Sequence, residues 1–190
     1  MTNICQLSNN TKVYLEQFEC ILGNMIREMS SVVLTDSISA SFIAQMIPHH
    51  RAAIAMSESL LRYTTDIPLQ NIALNIIREQ QKSIENMLQV YPGCQSCINT
   101  EQERIWYERN NTDILNTMFC DMSMACSDNH INANFMREMI PHHRGAVRMS
   151  ENALHFPLCQ DLIPLLDAII ASQKKGIRQM QQLLSQMPCR

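Results

Sequence analysis

Apolar residues recur along this chain at spacings of three and four, which is the pattern of helices that each bury one face. The first such stripe runs through residues 12–29 and includes Phe18, Met25 and Met29. The same pattern predicts five further helices, over residues 37–63, 66–91, 101–122, 131–156 and 162–187. There is no Val-rich segment that alternates apolar and polar positions, and only 4 Gly occur in 190 residues. The sequence therefore predicts an all-α fold.

The centre of the second predicted helix is repeated in the fifth. Segment 46–51, with the sequence Met-Ile-Pro-His-His-Arg, returns unchanged as segment 139–144, at an offset of 93 residues. Flanking residues match at the same offset. This duplication predicts two tandem three-helix repeats, over residues 1–93 and 101–190, joined by a linker over residues 94–100. We expect the two His-bearing helices to pack near each other with pseudo-two-fold symmetry.

Proline residues mark these helices in two ways. Pro48 and Pro141 lie inside the repeated segment. Because proline has no amide hydrogen, we expect each helix to kink or restart just before its His pair. Pro92 and Gly93 follow the third helix, and we expect them to terminate it near Tyr91.

Nitrogen and sulfur donors share one face of the duplicated helix. At about 100° per residue, Met46, His49, His50 and Met56 fall within an arc of roughly 120°. Imidazole and thioether are borderline and soft donors, which suit copper, above all Cu(I), and suit Mg²⁺ or Ca²⁺ poorly. Two more Met on the first helix of each repeat are placed to face this set. The candidate metal ligands are His49, His50, Met46, Met56, His142, His143, Met139, Met149, Met25, Met29, Met118 and Met122.

Charge and hydropathy exclude several classes of partner. The formal net charge is −3 with a pI near 6.0, and Lys and Arg form no basic cluster of the kind that nucleic acid or an anionic membrane requires. Polar residues interrupt every apolar segment before it could span a bilayer. We therefore expect a soluble protein that binds no nucleic acid and does not insert into membranes, with the oligomeric state left open. The given chain opens without a signal peptide, so we expect export if a leader was removed and a cytoplasmic location otherwise.

The eight Cys do not follow the repeat. Cys94 and Cys97 form a Cys-x-x-Cys pair in the predicted linker, for which a disulfide, free thiols and a secondary metal site are open alternatives. Cys20, Cys120 and Cys159 lie in helical patterns, and we expect them to be buried as small apolar side chains.

Two other functions compete with metal binding. A di-iron enzyme of the ferritin-like type needs Glu from two helices and two Glu-x-x-His pairs. The sequence contains no Glu-x-x-His, and Gln45 stands where the second repeat has Glu138. We therefore expect a non-enzymatic protein. A purely structural or interaction bundle, in which the Met and His residues are packing groups, is the second alternative.

The repeated elements resemble a known family. The pattern Phe-x-x-x-Met-Ile-Pro-His-His-Arg-x-Ala-Ile/Val-x-Met spans residues 42–56 and 135–149, and Ile-Ile-x-x-Gln-x-x-x-Ile-x-x-Met spans residues 76–87 and 169–180. Together they are similar to the domain-of-unknown-function family numbered 305. The resemblance implies a ferritin-like helical bundle, copper binding through His and Met, and frequent export.

One position departs from that family. Its members commonly have Glu just before the later Ile of the second element, where this chain has Ser83 and Gly176. The resemblance therefore implies no role for that carboxylate in this chain. The His and Met residues of the family pattern are all present. We expect a protein that stores, buffers or passes on copper, with Cu(I) favoured and Cu(II) or silver as alternatives. Its partners would be the metal ion and a protein that delivers or receives it.

Overall fold

The computed structural model describes residues 7–187, and that part of the chain forms six α-helices and no β-strand. The helices are α1 (Asn9–Ser30), α2 (Ile38–Leu61), α3 (Ile67–Cys94), α4 (Glu101–Ser123), α5 (Ile131–Ala153) and α6 (Ile163–Ser185). The predicted all-α class is therefore confirmed. None of these helices has both the length and the apolar character needed to cross a membrane.

The two helices that carry the repeated segment lie at the centre of the bundle. In the first half α2 packs against both α1 and α3, and in the second half α5 packs against both α4 and α6. The halves meet where α2 packs on α5 and where α3 packs on α6. Each His-bearing helix is thus surrounded by three others, which places its side chains in the core.

Aromatic pairs show that the two halves share one packing plan. Tyr14 meets Tyr63 edge to face, with ring centroids 5.8 Å apart and an interplanar angle of 87°. The residues at the same positions of the second half, Tyr107 and Phe156, meet at 5.9 Å and 88°. This agreement is what two tandem three-helix repeats require. The exact domain boundaries stay a prediction.

Side-chain caps explain where several helices begin. α1 starts earlier than predicted because the Ser8 hydroxyl accepts a hydrogen bond from the Thr11 amide. Ser37 caps α2 in the same way. At the start of α4, Thr100 and Glu103 form a reciprocal capping box, so two amides that lack helical partners are satisfied.

Pro92 does not terminate α3, so the predicted end of this helix is wrong. The helix continues to Cys94, and Gly93 has no positive φ and therefore does not form a left-handed cap. Proline removes only its own amide donor. The amide of Gln95 still donates to the carbonyl of Tyr91 at 3.1 Å, which completes the last turn.

The helices α2 and α5 continue through Pro48 and Pro141, so the predicted restart before each His pair does not occur. Both Pro rings are buried. Burial of this apolar surface offsets part of the cost of the lost helical hydrogen bond. Each His pair therefore lies on an uninterrupted helix that is packed on several sides.

A glycine lets α4 approach α5 closely. A Cβ atom at Gly145 would lie 2.0 Å from Met118 Sδ and 3.1 Å from Met118 Cβ, so no larger residue fits without a shift of that side chain. Met118 and Met122 are both buried, as are Met25 and Met29 at the same positions of α1. The predicted Met stripes therefore face the core.

Candidate metal centre

His49 and His142 meet at the interface between α2 and α5. Their rings are stacked, with centroids 3.6 Å apart and an interplanar angle of 28°. His49 Nε2 lies 3.2 Å from the carbonyl oxygen of His142, and His142 Nε2 lies 3.2 Å from the carbonyl oxygen of His49. This reciprocal pair places the two histidines on the pseudo-two-fold axis that the repeat predicts.

These contacts determine where the proton of each ring lies. A carbonyl oxygen can only accept, so Nε2 of His49 and of His142 must donate. In a neutral ring Nδ1 then carries the free lone pair. Both Nδ1 atoms are buried and have no hydrogen-bond partner. An unsatisfied buried acceptor costs about 1–3 kcal/mol, and coordination of a cation would satisfy it.

The outer histidine of each pair has the same free nitrogen but a different neighbour. His50 Nδ1 and His143 Nδ1 are buried and lack hydrogen-bond partners. His50 Nε2 lies 2.9 Å from the hydroxyl of Ser83 on α3. On the other side the matching position of α6 is Gly176, which offers no side chain. A Cβ there would lie 2.9 Å from His143 Nε2.

Burial keeps all four imidazoles neutral near pH 7. Loss of water around the ring lowers the pKa of His49 to about 4 and, together with the charge of His49, lowers that of His143 to about 3. The pKa values of His50 and His142 are lowered well below the usual range, first by burial and then by the neighbouring imidazoles. The neutral ring is the form that binds metals. The set is therefore ready to coordinate without first losing protons.

The thioethers predicted as sulfur ligands are buried on the same two helices as these rings. Met46, Met139 and Met149 are fully buried, and Met56 is 3% exposed. They belong to the same apolar core as the Met residues of α1 and α4. Within residues 7–187 no three or more His, Cys, Asp or Glu side chains are arranged to hold one metal ion. A closed site at the histidines would therefore need thioether donors as well.

Two small cavities reach the outer histidines from the groove between α3 and α6. A cavity of about 150 Å³ borders His143 and is lined by Gly176, Gln80 and Gln173. A smaller one, of about 80 Å³, borders His50 and is lined by Ser83 and the same two Gln side chains. Gln80 and Gln173 are buried, and the Oε1 atom of each lacks a hydrogen-bond partner. The sequence indicated this Gln pair only through its repetition.

Glu138 is a buried carboxylate on α5, at the position that Gln45 occupies in the first repeat, and it binds a tyrosine. The hydroxyl of Tyr14 donates to Glu138 at 2.7 Å, while Gln45, at the same position of the first repeat, accepts from Asn111 at 2.8 Å. Burial raises the pKa of Glu138 to about 7, although the Tyr14 hydrogen bond opposes this. The two positions therefore differ in chemistry, so they do not form a symmetric pair of metal-binding carboxylates. The sequence does not predict the contact between Tyr14 and Glu138, because these two residues lie in different repeats.

The cysteine pair lies at the end of α3, apart from the histidines. Cys94 and Cys97 are free thiols, and both lie near Cys159. Burial, followed by the Cys159 contact, raises the pKa of Cys94 to about 12, so this thiol stays protonated near neutral pH. Cys159 is buried as predicted, but Cys20 and Cys120 are exposed, so that expectation is wrong for these two. Both lie outside the buried faces of α1 and α4.

Comparison with known proteins identifies similar folds. The family model for the domain of unknown function DUF305 matches residues 39–184. CopM in a silver-bound form obtained by soaking is 30% identical, with a TM-score of 0.58, and the match covers 80% of this chain and 97% of that one. CopM in a Cu(II)-bound form is 29% identical, with a TM-score of 0.58 and coverage of 77% and 95%.

A third similar structure extends this group. The crystal structure of a DUF305 fragment from Deinococcus radiodurans is 20% identical, with a TM-score of 0.56, and the match covers 79% of this chain and 97% of the fragment. At this identity the likeness concerns the fold alone. No sequence among the curated proteins matches this chain.

Proposed function

The chain belongs to the DUF305 family, and from that premise we propose that it is a non-enzymatic protein that binds copper and stores it, buffers it or passes it on. One observation carries this proposal. Four neutral imidazoles are buried where the two halves meet, and every one of them has a free, unpartnered Nδ1. Buried acceptors without partners are uncommon in proteins, and a metal ion would satisfy them.

The buried thioethers of α2 and α5 favour Cu(I) within this proposal. Imidazole nitrogen would come from the two His pairs, and thioether sulfur from the four Met residues of α2 and α5. Thioethers are soft, uncharged donors that prefer Cu(I) and Ag(I) to harder ions. CopM, which shares this fold at about 30% identity, has been solved with silver and with Cu(II). The Met residues of α1 and α4 would complete the site or relay the ion toward it.

Thermal unfolding with and without Cu(I) tests the proposal. A variant in which all eight Cys are replaced by Ala removes thiols that would bind Cu(I) in the unfolded chain. At a free Cu(I) concentration 100 times the dissociation constant, a ligand that binds only the folded state adds about 2.7 kcal/mol. For a chain of this size we expect the melting temperature to rise by about 5–10 °C.

Magnesium is the matched control, because a site of nitrogen and sulfur donors gives it no suitable oxygen ligands. We expect no change in melting temperature at the same concentration of Mg²⁺. An unchanged midpoint with Cu(I), in a variant that melts cooperatively, would reject copper binding at this centre.

A structural role is the second candidate, and one observation favours it. The reciprocal hydrogen bonds between His49 and His142 join α2 to α5 without any metal. In that case the histidines hold the two halves together, and Cu(I) leaves the melting temperature unchanged. The same experiment therefore separates the two functions.

A further inference from the structure

The two sides of the histidine centre have different neighbours in the groove between α3 and α6. Ser83 on α3 and Gly176 on α6 occupy the same position of the repeat, yet only Ser83 has a side chain that meets its histidine. The Ser83 hydroxyl lies 2.9 Å from His50 Nε2. Within residues 7–187 His143 Nε2 has no hydrogen-bond partner, and its ring borders the larger cavity. The two repeats therefore differ in the group that lies next to Nε2 of the outer histidine.

We infer that metal ions enter and leave through the cavity at His143, and that Ser83 blocks the matching route at His50. This inference rests on the proposed copper binding. The cavity of about 150 Å³ beside His143 is nearly twice the size of the one beside His50, at about 80 Å³. A water molecule occupies about 30 Å³ in the liquid, so the larger cavity holds a few waters or one small donor group. The incoming ligand is thus a small soft donor, such as a thiolate or cyanide.

Ligand exchange at a buried soft ion requires an incoming donor to approach while a protein donor leaves. At His143 no hydrogen bond from the described part of the chain holds Nε2, so the ring can turn and withdraw Nδ1 from the ion. At His50 the contact with Ser83 must first be broken and its side chain moved. Gln80 and Gln173 line both cavities, so these two side chains do not distinguish the two routes. Next to the outer histidine nitrogens, the two routes therefore differ in the side chains at positions 83 and 176.

Exchanging these two residues gives the sharpest test. The Cu(I)-loaded Cys-free protein is mixed with excess bicinchoninate and a low, fixed concentration of the small thiol 2-mercaptoethanol, and release is followed by the absorbance of the Cu(I)–bicinchoninate complex. In Gly176→Ser we expect release to slow at least about tenfold, because a new hydroxyl fills the cavity and must lose its contact with Nε2 before exchange. In Ser83→Gly we expect release at least as fast as in the parent. The double exchange should return close to the parental rate, since the open side has only moved to His50.

Gly23→Ser is the matched control, because a Cβ at Gly23 meets nothing within 4 Å and this position of α1 is exposed. It should leave the release rate unchanged. Parental release rates in Gly176→Ser, with unchanged equilibrium affinity, would overturn the route. If Gly176→Ser does not fold, slower release in Ser83→Gly would overturn it as well. Failure of the parent to bind Cu(I) at equilibrium would instead reject the proposed function, so the two failures are distinguishable.

Discussion

Replacing His49, His50, His142 and His143 together by Ala is expected to lower the affinity for Cu(I) by at least about 100-fold. Loss of groups that only orient a metal ligand costs 10–100-fold, so loss of the nitrogen donors themselves costs more. Competition between the Cys-free protein and bicinchoninate measures the affinity. The variant must first be shown to be helical by circular dichroism, because four buried rings are removed at once.

Two further variants make this result specific to the centre. His130→Ala combined with His155→Ala removes the exposed histidines that the repeat does not share, and we expect it to bind like the parent. Replacing the four central Met residues by Leu keeps the volume and removes only sulfur. These four residues are Met46, Met56, Met139 and Met149. This variant should lose affinity for Cu(I) and retain most of its affinity for Cu(II), since imidazole suits both ions. Equal Cu(I) affinity in the four-His variant and the parent would contradict the assignment.

Lowering the pH from 7 toward 4 is expected to unfold the metal-free protein. In the unfolded chain each of the four histidines takes up a proton near pH 6.5, whereas in the folded protein burial keeps the pKa of His49 at about 4 and that of His143 at about 3. The unfolded state therefore binds more protons below pH 6.5, and the stability contributed by the neutral rings is lost as pH falls.

Glu138 acts in the opposite direction. Its folded pKa of about 7 lies above the usual 4.5, so the folded state holds a proton that the unfolded state lacks between these values, which stabilises the fold toward acid pH. Near pH 5, unfolding therefore takes up a net three protons, because the four histidines gain four and Glu138 loses one. The free energy of unfolding should then fall by up to about 4 kcal/mol per pH unit.

Urea titrations between pH 7 and 4.5 measure this slope. The variant without His130 and His155 should show the same dependence as the parent, because both of these side chains are exposed. A free energy of unfolding that stays constant over this range would contradict the account of buried neutral histidines.

Periodicity and repetition were sufficient to predict the helical class and the pairing of the two halves. Apolar residues recur at spacings of three and four because each helix buries one face. The packing of α1 through α6 confirms this arrangement. The duplicated segment also predicted that the two His-bearing helices pack near each other, as α2 and α5 do. It did so because side chains at matched positions of two packed helices converge on the axis between them.

Other features depend on contacts that spacing along the chain does not determine. The sequence shows that Ser83 and Gly176 differ, but only the packing of α3 and α6 brings them against His50 and His143. Pro92 was expected to end a helix, although a proline in a last turn costs only one hydrogen bond. Cys20 and Cys120 are exposed because they lie outside the buried faces of α1 and α4, although each sits within a helical pattern.

The central claim is that imidazole and thioether together hold one soft ion between α2 and α5. X-ray absorption spectroscopy of the Cu(I)-loaded Cys-free variant tests it most directly, because any sulfur bound to copper in that variant must be a thioether. We predict a first shell that contains both nitrogen and sulfur, with the outer-shell scattering typical of imidazole rings. A copper environment without imidazole scattering, or without sulfur, would contradict the account.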